Sequence, residues 1–214
     1  MGFQLTSKDY ADYIRKAYAL IHKNGDYITE LDSATGDGDH WTNINMGFES
    51  LVEAADELEK KSVFEEFKQI GTIMMSVIGG SSGVLYGSAY LAAAKVLKEK
   101  ETIGKEELFQ VLEAMLQAIM SRGNAQVGWK TMIDCLAPAV DCYRECIANG
   151  VDERTTAEKI KQAAIDGAEN TKAMEAVRGR ATYQANKGVG HLDPGAVTMS
   201  YQIATLMDCV IEKC

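Results

Sequence analysis

The sequence predicts an all-α protein, a single domain over residues 1–214 arranged as a bundle of about eight helices. Apolar residues recur every three or four positions along most of the chain, which is the period of an amphipathic helix. Only 2 prolines occur in 214 residues, so long helices can run uninterrupted. No alternating strand pattern and no low-complexity linker is found, and the length suits one domain.

Each predicted helix is marked by its own apolar stripe. The clearest stripes run from Tyr10 to Ile21, from Phe64 to Val77 and from Leu108 to Met120. Ser7 is the predicted N-cap of the first helix, and the acidic pair Glu106–Glu107 lies in the first turn of the third. Further helical segments are expected over residues 43–60, 84–99, 129–148, 154–177 and 195–212.

The charge balance narrows the classes of partner. A net charge of -9 and a pI of about 4.9 argue against a nucleic-acid ligand, because phosphate backbones require a basic surface. No apolar run approaches the roughly 20 residues of a membrane-spanning helix. Five cysteines without close C-x-x-C pairs are typical of reduced core thiols. We therefore expect a cytoplasmic protein that binds neither nucleic acid nor a membrane.

Glycines are concentrated in four windows. Thirteen of the 19 glycines lie in residues 36–47, 79–87, 123–128 and 179–195. Each window lies at or close to the start of a predicted helix. Unpaired N–H groups and the positive end of the helix dipole make such starts suitable for anions. The four loops are therefore candidates for a shared binding site.

The first window is acidic. Asp32, Asp37 and Asp39 fall within eight residues, with Gly36 and Gly38 between them. Three like charges this close repel one another unless a cation holds them, and oxygen ligands suit a hard ion such as Mg²⁺. The spacing does not match an EF-hand, and Mg²⁺ shared with substrate phosphates fits better. The alternative is a solvated acidic turn in which Asp39 caps the next helix.

The second and third windows are compatible with the two ends of a nucleotide. Ser81 and Ser82 lie among small residues whose N–H and hydroxyl groups can face a phosphate, although no Walker lysine follows and a plain connector would look the same. Gly123 opens a turn that leads to Met132, a soft side chain suited to a flat base. A core methionine is the alternative there.

The fourth window gathers positive charge in an acidic protein. Arg178, Arg180 and Lys187 lie here, and the planar guanidinium matches phosphate oxygens. Asp193 followed by Pro194 predicts an N-cap with proline at the first helical position. Nearby His191 is interpreted as a structural residue, because no serine or cysteine nucleophile motif accompanies it.

Together these motifs resemble the nucleotide-binding L subunit of dihydroxyacetone kinases of the phosphoenolpyruvate-dependent, phosphotransferase-system type. They occur in the family's order over nearly the whole chain. The matching elements are Gly36-Asp37-Gly38-Asp39-His40 with Thr42-Asn43, Gly80-Ser81-Ser82-Gly83 with Leu85-Tyr86-Gly87, Lys130-Thr131-Met132-Ile133-Asp134, Gly179-Arg180-Ala181, and Asp193-Pro194-Gly195-Ala196.

The resemblance implies a barrel of eight helices that holds ADP or ATP at one end through two Mg²⁺ ions. It implies that Asp32, Asp37 and Asp39 are the metal ligands, and that Asp37, Asp39 and Arg180 carry the catalysis. It further implies a set of nucleotide-binding residues: His40, Trp41, Thr42, Asn43, Ser81, Ser82, Gly123, Met132, Arg180, Asp193, Pro194 and Gly195.

The same resemblance implies a phosphoryl-transfer subunit. Phosphate would pass from a phosphohistidine donor, the M subunit, through bound ADP to a short ketose held by a K subunit. Two alternatives stay open: an ATP-dependent kinase subunit for another triose or tetrose, and a non-catalytic ADP-loaded paralogue that docks on a transcription regulator. A homodimer also remains open. Trp41 and Trp129 depart from the family, which usually has a small and an acidic residue there.

Overall fold

The computed structural model describes residues 2–214. Over that range the chain forms nine α-helices and no β-strand, which confirms the predicted all-α class. The helices are α1 (Ser7–Lys23), α2 (Gly25–Thr35), α3 (His40–Leu58), α4 (Val63–Val77), α5 (Gly80–Val96), α6 (Lys105–Gly123), α7 (Ile133–Ala148), α8 (Glu153–Asn170) and α9 (Pro194–Ile211).

Eight of these helices form a closed ring. Going round it, α1 packs on α3, followed by α4, α5, α6, α7, α8 and α9, and α9 packs back on α1. The ninth helix, α2, contacts α3 and α9. The ring is therefore a barrel of eight helices, and α2 is an addition that the sequence did not predict. Only Ile28 of α2 is a buried apolar residue, so no stripe marks this helix.

The start of α1 differs from the prediction in one residue. Thr6, not Ser7, is the N-cap: the Thr6 hydroxyl accepts from the Asp9 N–H, and the Asp9 carboxylate accepts from the Thr6 N–H. Ser7 lies inside the helix, where its buried hydroxyl donates to the Lys61 carbonyl oxygen at 2.8 Å. The reciprocal Thr6–Asp9 pair satisfies two backbone donors, which a Ser7 cap could not do.

Two other helices are shorter than the segments predicted for them. The segment predicted over 129–148 becomes helical only at Ile133, because Gly128 and Lys130 have φ values of 89° and 59°, outside the helical region. The segment predicted over 154–177 ends at Asn170 and continues as a single 3₁₀ turn, Thr171–Ala173. Both shortened helices leave loops that lie at the same end of the barrel.

One apolar core occupies the barrel and includes residues of all nine helices. Its largest buried side chains include Tyr86 and Tyr90 of α5. Glu66 of α4 is also fully buried, and neither of its carboxylate oxygens has a hydrogen-bond partner within residues 2–214. Burial raises the pKa of Glu66 to about 9. All five cysteines are free thiols, and none of the described helices is long and apolar enough to cross a membrane.

A glycine allows α7 and α8 to approach closely. A Cβ added at Gly167 would lie 2.9 Å from Cγ of Pro138 and would collide with the Asp134 carbonyl oxygen. We expect Gly167→Ala to lower the free energy of unfolding by about 1–3 kcal/mol, because overpacking outweighs the better helix propensity of alanine. Urea denaturation measures this effect. Glu169→Ala on the exposed face of α8 should change stability little, and equal stability of both variants would contradict the close packing.

Candidate functional site

A cavity of about 550 Å³ opens at one end of the barrel. Its wall includes residues at the N-terminal ends of α3, α5, α7 and α9 and at the C-terminal ends of α2 and α6. All four glycine windows of the sequence contribute to this wall. The volume lies in the range of small-molecule sites, and four converging helix N-termini favour an anionic ligand.

Three aspartates meet at one side of the cavity. One carboxylate oxygen from each of Asp32, Asp37 and Asp39 lies within 4.8 Å of the others. Asp32, in the last turn of α2, is 7% exposed and accepts the backbone N–H of His40 at 2.9 Å. A Cβ added at Gly36 would collide with the Asp32 carboxylate. Glycine at position 36 therefore leaves room for the Asp32 carboxylate beside the other two side chains.

The chemistry of this cluster suits a hard divalent cation. All its ligand atoms are carboxylate oxygens, the donor type that Mg²⁺ prefers. Asp39 occupies the N-cap position of α3, yet its side chain makes no capping hydrogen bond, so its carboxylate stays free for another ligand. A guanidinium contacts the cluster: Nη2 of Arg180 lies 2.7 Å from Oδ2 of Asp37. This arrangement does not fit the alternative in which Asp39 serves only as a helix cap.

His40 lies beside the aspartates, and a contact with Thr198 orients its ring. Its Nε2 lies 2.9 Å from Oγ1 of Thr198, whose hydroxyl is also within bonding distance of the Pro194 carbonyl oxygen. If the Thr198 hydroxyl donates to that carbonyl, Nε2 of His40 carries the proton. Burial lowers the pKa of His40, and the charges of Asp32 and Asp39 offset part of that shift.

Asp193 caps α9 as predicted, with Pro194 in the first turn. Its Oδ2 accepts the Ala196 N–H at 2.7 Å. Burial raises the pKa of Asp193 to about 7, an effect that the nearby Lys130 ammonium opposes and other carboxylates reinforce. The N-terminal turn of α9 is thereby fixed at the cavity wall.

Lys130 belongs to a matching family motif, but no site role was predicted for it. Its side chain is 2% exposed, and its ammonium donates to the carbonyl oxygens of Thr171, at 2.5 Å, and His191. Asp134 holds the same loop by accepting the N–H groups of Gly128 and Thr131. The pair lies in a segment predicted as continuous helix, and the positive φ values of Gly128 and Lys130 show that the loop replaces its first turn. Burial lowers the pKa of Lys130.

Another part of the cavity wall is formed by apolar residues. Met132, 7% exposed, and Gly123, the two residues predicted to border the base of a nucleotide, lie in this part of the wall. Leu85 and Ile119 complete this apolar wall. A flat apolar ligand can pack here while its anionic part reaches the helix N-termini and the aspartates.

Most of the predicted site residues reach the cavity, but three neighbours on α3 do not. Those in the wall are Asp32, Asp37, Asp39, His40, Ser81, Ser82, Gly123, Met132, Arg180, Asp193, Pro194 and Gly195. Trp41 points towards α1 and α2, where its indole N–H donates to the Ile21 carbonyl oxygen at 3.3 Å. Thr42 is exposed, and the Asn43 amide bonds back to the Asp39 carbonyl oxygen. Trp41, Thr42 and Asn43, which the resemblance assigns to nucleotide binding, therefore do not line this cavity.

Residues 34–208 match the family model described as the DAK2 domain. The chain is 36% identical over 192 residues to the PEP-dependent dihydroxyacetone kinase 1, ADP-binding subunit DhaL, of Listeria innocua, which covers 90% of this chain and 89% of that protein. It is 34% identical over 206 residues to the PTS-dependent dihydroxyacetone kinase, ADP-binding subunit DhaL, of Lactococcus lactis, covering 96% and 99%.

The fold is also similar to a solved structure. The dihydroxyacetone kinase from C. freundii in complex with AMP-PNP and Mg²⁺ superposes with a TM-score of 0.71 at 25% sequence identity. The similarity covers 92% of this chain and 33% of that one. The fold of this chain therefore also occurs in about one third of this larger kinase.

Proposed function

The chain belongs to the DAK2-domain family, and we propose that it is the ADP-binding subunit of a phosphoenolpyruvate-dependent dihydroxyacetone kinase. In this proposal it relays phosphate from a phosphohistidine donor protein, through bound ADP, to dihydroxyacetone held by a separate K subunit. The names of its relatives support the donor and the substrate. Five free thiols suit a reducing compartment such as the cytoplasm.

The observation that carries the proposal is the meeting of three aspartates and four helix N-termini around one cavity. Three carboxylates alone would repel a polyphosphate, whereas the same carboxylates holding two divalent cations would attract it. The helix N-termini and Arg180 then face the remaining negative charge. An acidic protein can bind ADP in this way without a large basic surface.

The roles of the residues follow from their positions. Asp32, Asp37 and Asp39 would hold Mg²⁺, which supplies charge neutralisation on the phosphate oxygens when it is bound. Arg180, at the edge of this cluster, would offset charge that develops during transfer. Ser81 and Ser82, in the first turn of α5, would position the phosphates, and Met132 would pack on the base. No side chain of this chain has to act as a nucleophile, because the donor histidine and the acceptor hydroxyl belong to other molecules.

Two measurements test the proposal. Native mass spectrometry of the protein purified in Mg²⁺ without added nucleotide should show retained ADP. Phosphate from phosphoenolpyruvate should then reach dihydroxyacetone only when cognate K and M proteins and the donor enzymes are all present. Transfer driven by free ATP without an M protein would instead support the ATP-dependent alternative. Retained ADP without any transfer would support a regulatory role, and absence of both would refute the proposal.

A further inference from the structure

Arg178 joins two loops that face each other at the apolar side of the cavity. Its guanidinium carbon lies 5.5 Å from the centre of the Trp129 ring, a cation–π geometry. Its Nε donates to the carbonyl oxygen of Asn124 at 3.1 Å. The preceding residue, Val177, donates its N–H to the Trp129 carbonyl oxygen at 3.3 Å. Three contacts thus fasten residues 177–178 to the loop at 124–129.

The segment that begins with Arg178 runs along the cavity. All of residues 178–181 lie in the cavity wall. At its other end Arg180 pairs with Asp37 at 2.7 Å. Gly179, between the two arginines, has φ of 77°, a conformation that favours glycine. We call residues 178–181 the strap: its first residue is fixed at the apolar side, and its third is fixed at the aspartates.

We propose that Trp129 and Arg178 are positioning residues that hold the strap over the cavity and thereby slow the release of a nucleoside diphosphate. This inference rests on the proposed function. Trp129 does not lie in the cavity wall, so it acts through Arg178. Because Arg178 is exposed, the stacking contact and the bond to Asn124 are what restrict its side chain. Loss of either contact frees the strap at its apolar end, whereas the pairing of Arg180 with Asp37 stays.

The test measures release of ADP. Protein loaded with a fluorescent ADP analogue in Mg²⁺ is mixed with excess ADP, and the dissociation rate is followed. We expect Trp129→Ala and Arg178→Lys to release the analogue about fivefold to tenfold faster than the wild type. Trp129→Phe keeps an aromatic face and should restore most of the retention. The association rate should change less than the dissociation rate, because the strap holds ligand that is already bound.

A matched pair elsewhere on the chain provides the control. Arg144 lies 5.7 Å from the centre of the Phe109 ring, on α7 and α6, and neither residue lines the cavity. Arg144→Lys therefore makes the same chemical change at a distant cation–π pair and should leave ADP release unchanged. Hydrogen exchange at the Val177 amide gives a second readout that needs no nucleotide, and it should accelerate in Trp129→Ala and Arg178→Lys.

The outcomes separate this inference from the proposed function. Wild-type release rates in both Arg178→Lys and Trp129→Ala would overturn the positioning role while leaving ADP binding intact. Failure of the wild type itself to bind ADP would overturn both. If Trp129→Ala does not fold, as judged by circular dichroism, Arg178→Lys decides alone, because the exposed Arg178 side chain can be shortened without disturbing the core.

Discussion

An Asp37→Asn variant is expected to lose Mg²⁺-dependent ADP binding by at least about a hundredfold, and phosphate transfer with it. The amide has the shape of the carboxylate but no charge, so the cluster loses one of its three negative charges. The Arg180 guanidinium loses its partner at the same time. Calorimetric titration of ADP at several Mg²⁺ concentrations measures the effect. The affinity for ADP should fall at the Mg²⁺ concentrations that strengthen binding to the wild type, and any binding without Mg²⁺ should be unchanged.

Asp26→Asn is the matched control for Asp37→Asn. Asp26 is exposed in the first turn of α2, at the opposite end of the helix that carries Asp32. The Asp26→Asn substitution removes the same charge from a nearby part of the sequence but does not alter the aspartate cluster. Its ADP affinity should equal that of the wild type. Equal affinities in all three proteins at every Mg²⁺ concentration would show that the cluster does not hold the metal.

The sequence predicted the helices that have several large apolar residues on one face. Helix α2 was missed because Ile28 is its only buried apolar residue, and a single residue defines no period. Which helix packs on which could not be predicted either. The stripes show that each helix has a buried face, but the closed ring from α1 round to α9 depends on contacts between segments far apart in the chain.

At the candidate site, closeness in the sequence predicted closeness in the structure only where the backbone turns. Asp32, Asp37 and Asp39 were predicted to lie together, and the turn at Gly36 brings them within 4.8 Å. Trp41 follows His40 directly, yet successive residues on a helix point about 100° apart. Trp41 therefore points away from the cavity, towards the end of α1. The role of Lys130 could not be predicted, although the residue lies in a matching motif, because it depends on a positive φ and on carbonyl groups of a distant loop.

A Glu66→Gln variant is expected to be more stable than the wild type, with a gain that grows as the pH rises from 5 to 9. Burial raises the pKa of Glu66 to about 9, because no hydrogen-bond partner stabilises the ionised carboxylate. In the unfolded chain this carboxyl releases its proton near the ordinary glutamate pKa of 4.5. Between these values the native state binds one more proton, so its stability falls by about 1.4 kcal/mol per pH unit. Glutamine has no such proton to lose.

Urea denaturation at each pH from 5 to 9 checks this prediction. The two stability curves should nearly meet at pH 5 and differ by a few kcal/mol at pH 9. Glu101→Gln removes an exposed carboxyl and should run parallel to the wild type. Parallel curves for Glu66→Gln would mean that Glu66 is already ionised in the native protein. The formal net charge of -9 counts Glu66 as ionised. A diverging curve would therefore show that the folded protein carries one negative charge fewer at neutral pH, in its core rather than at the cavity.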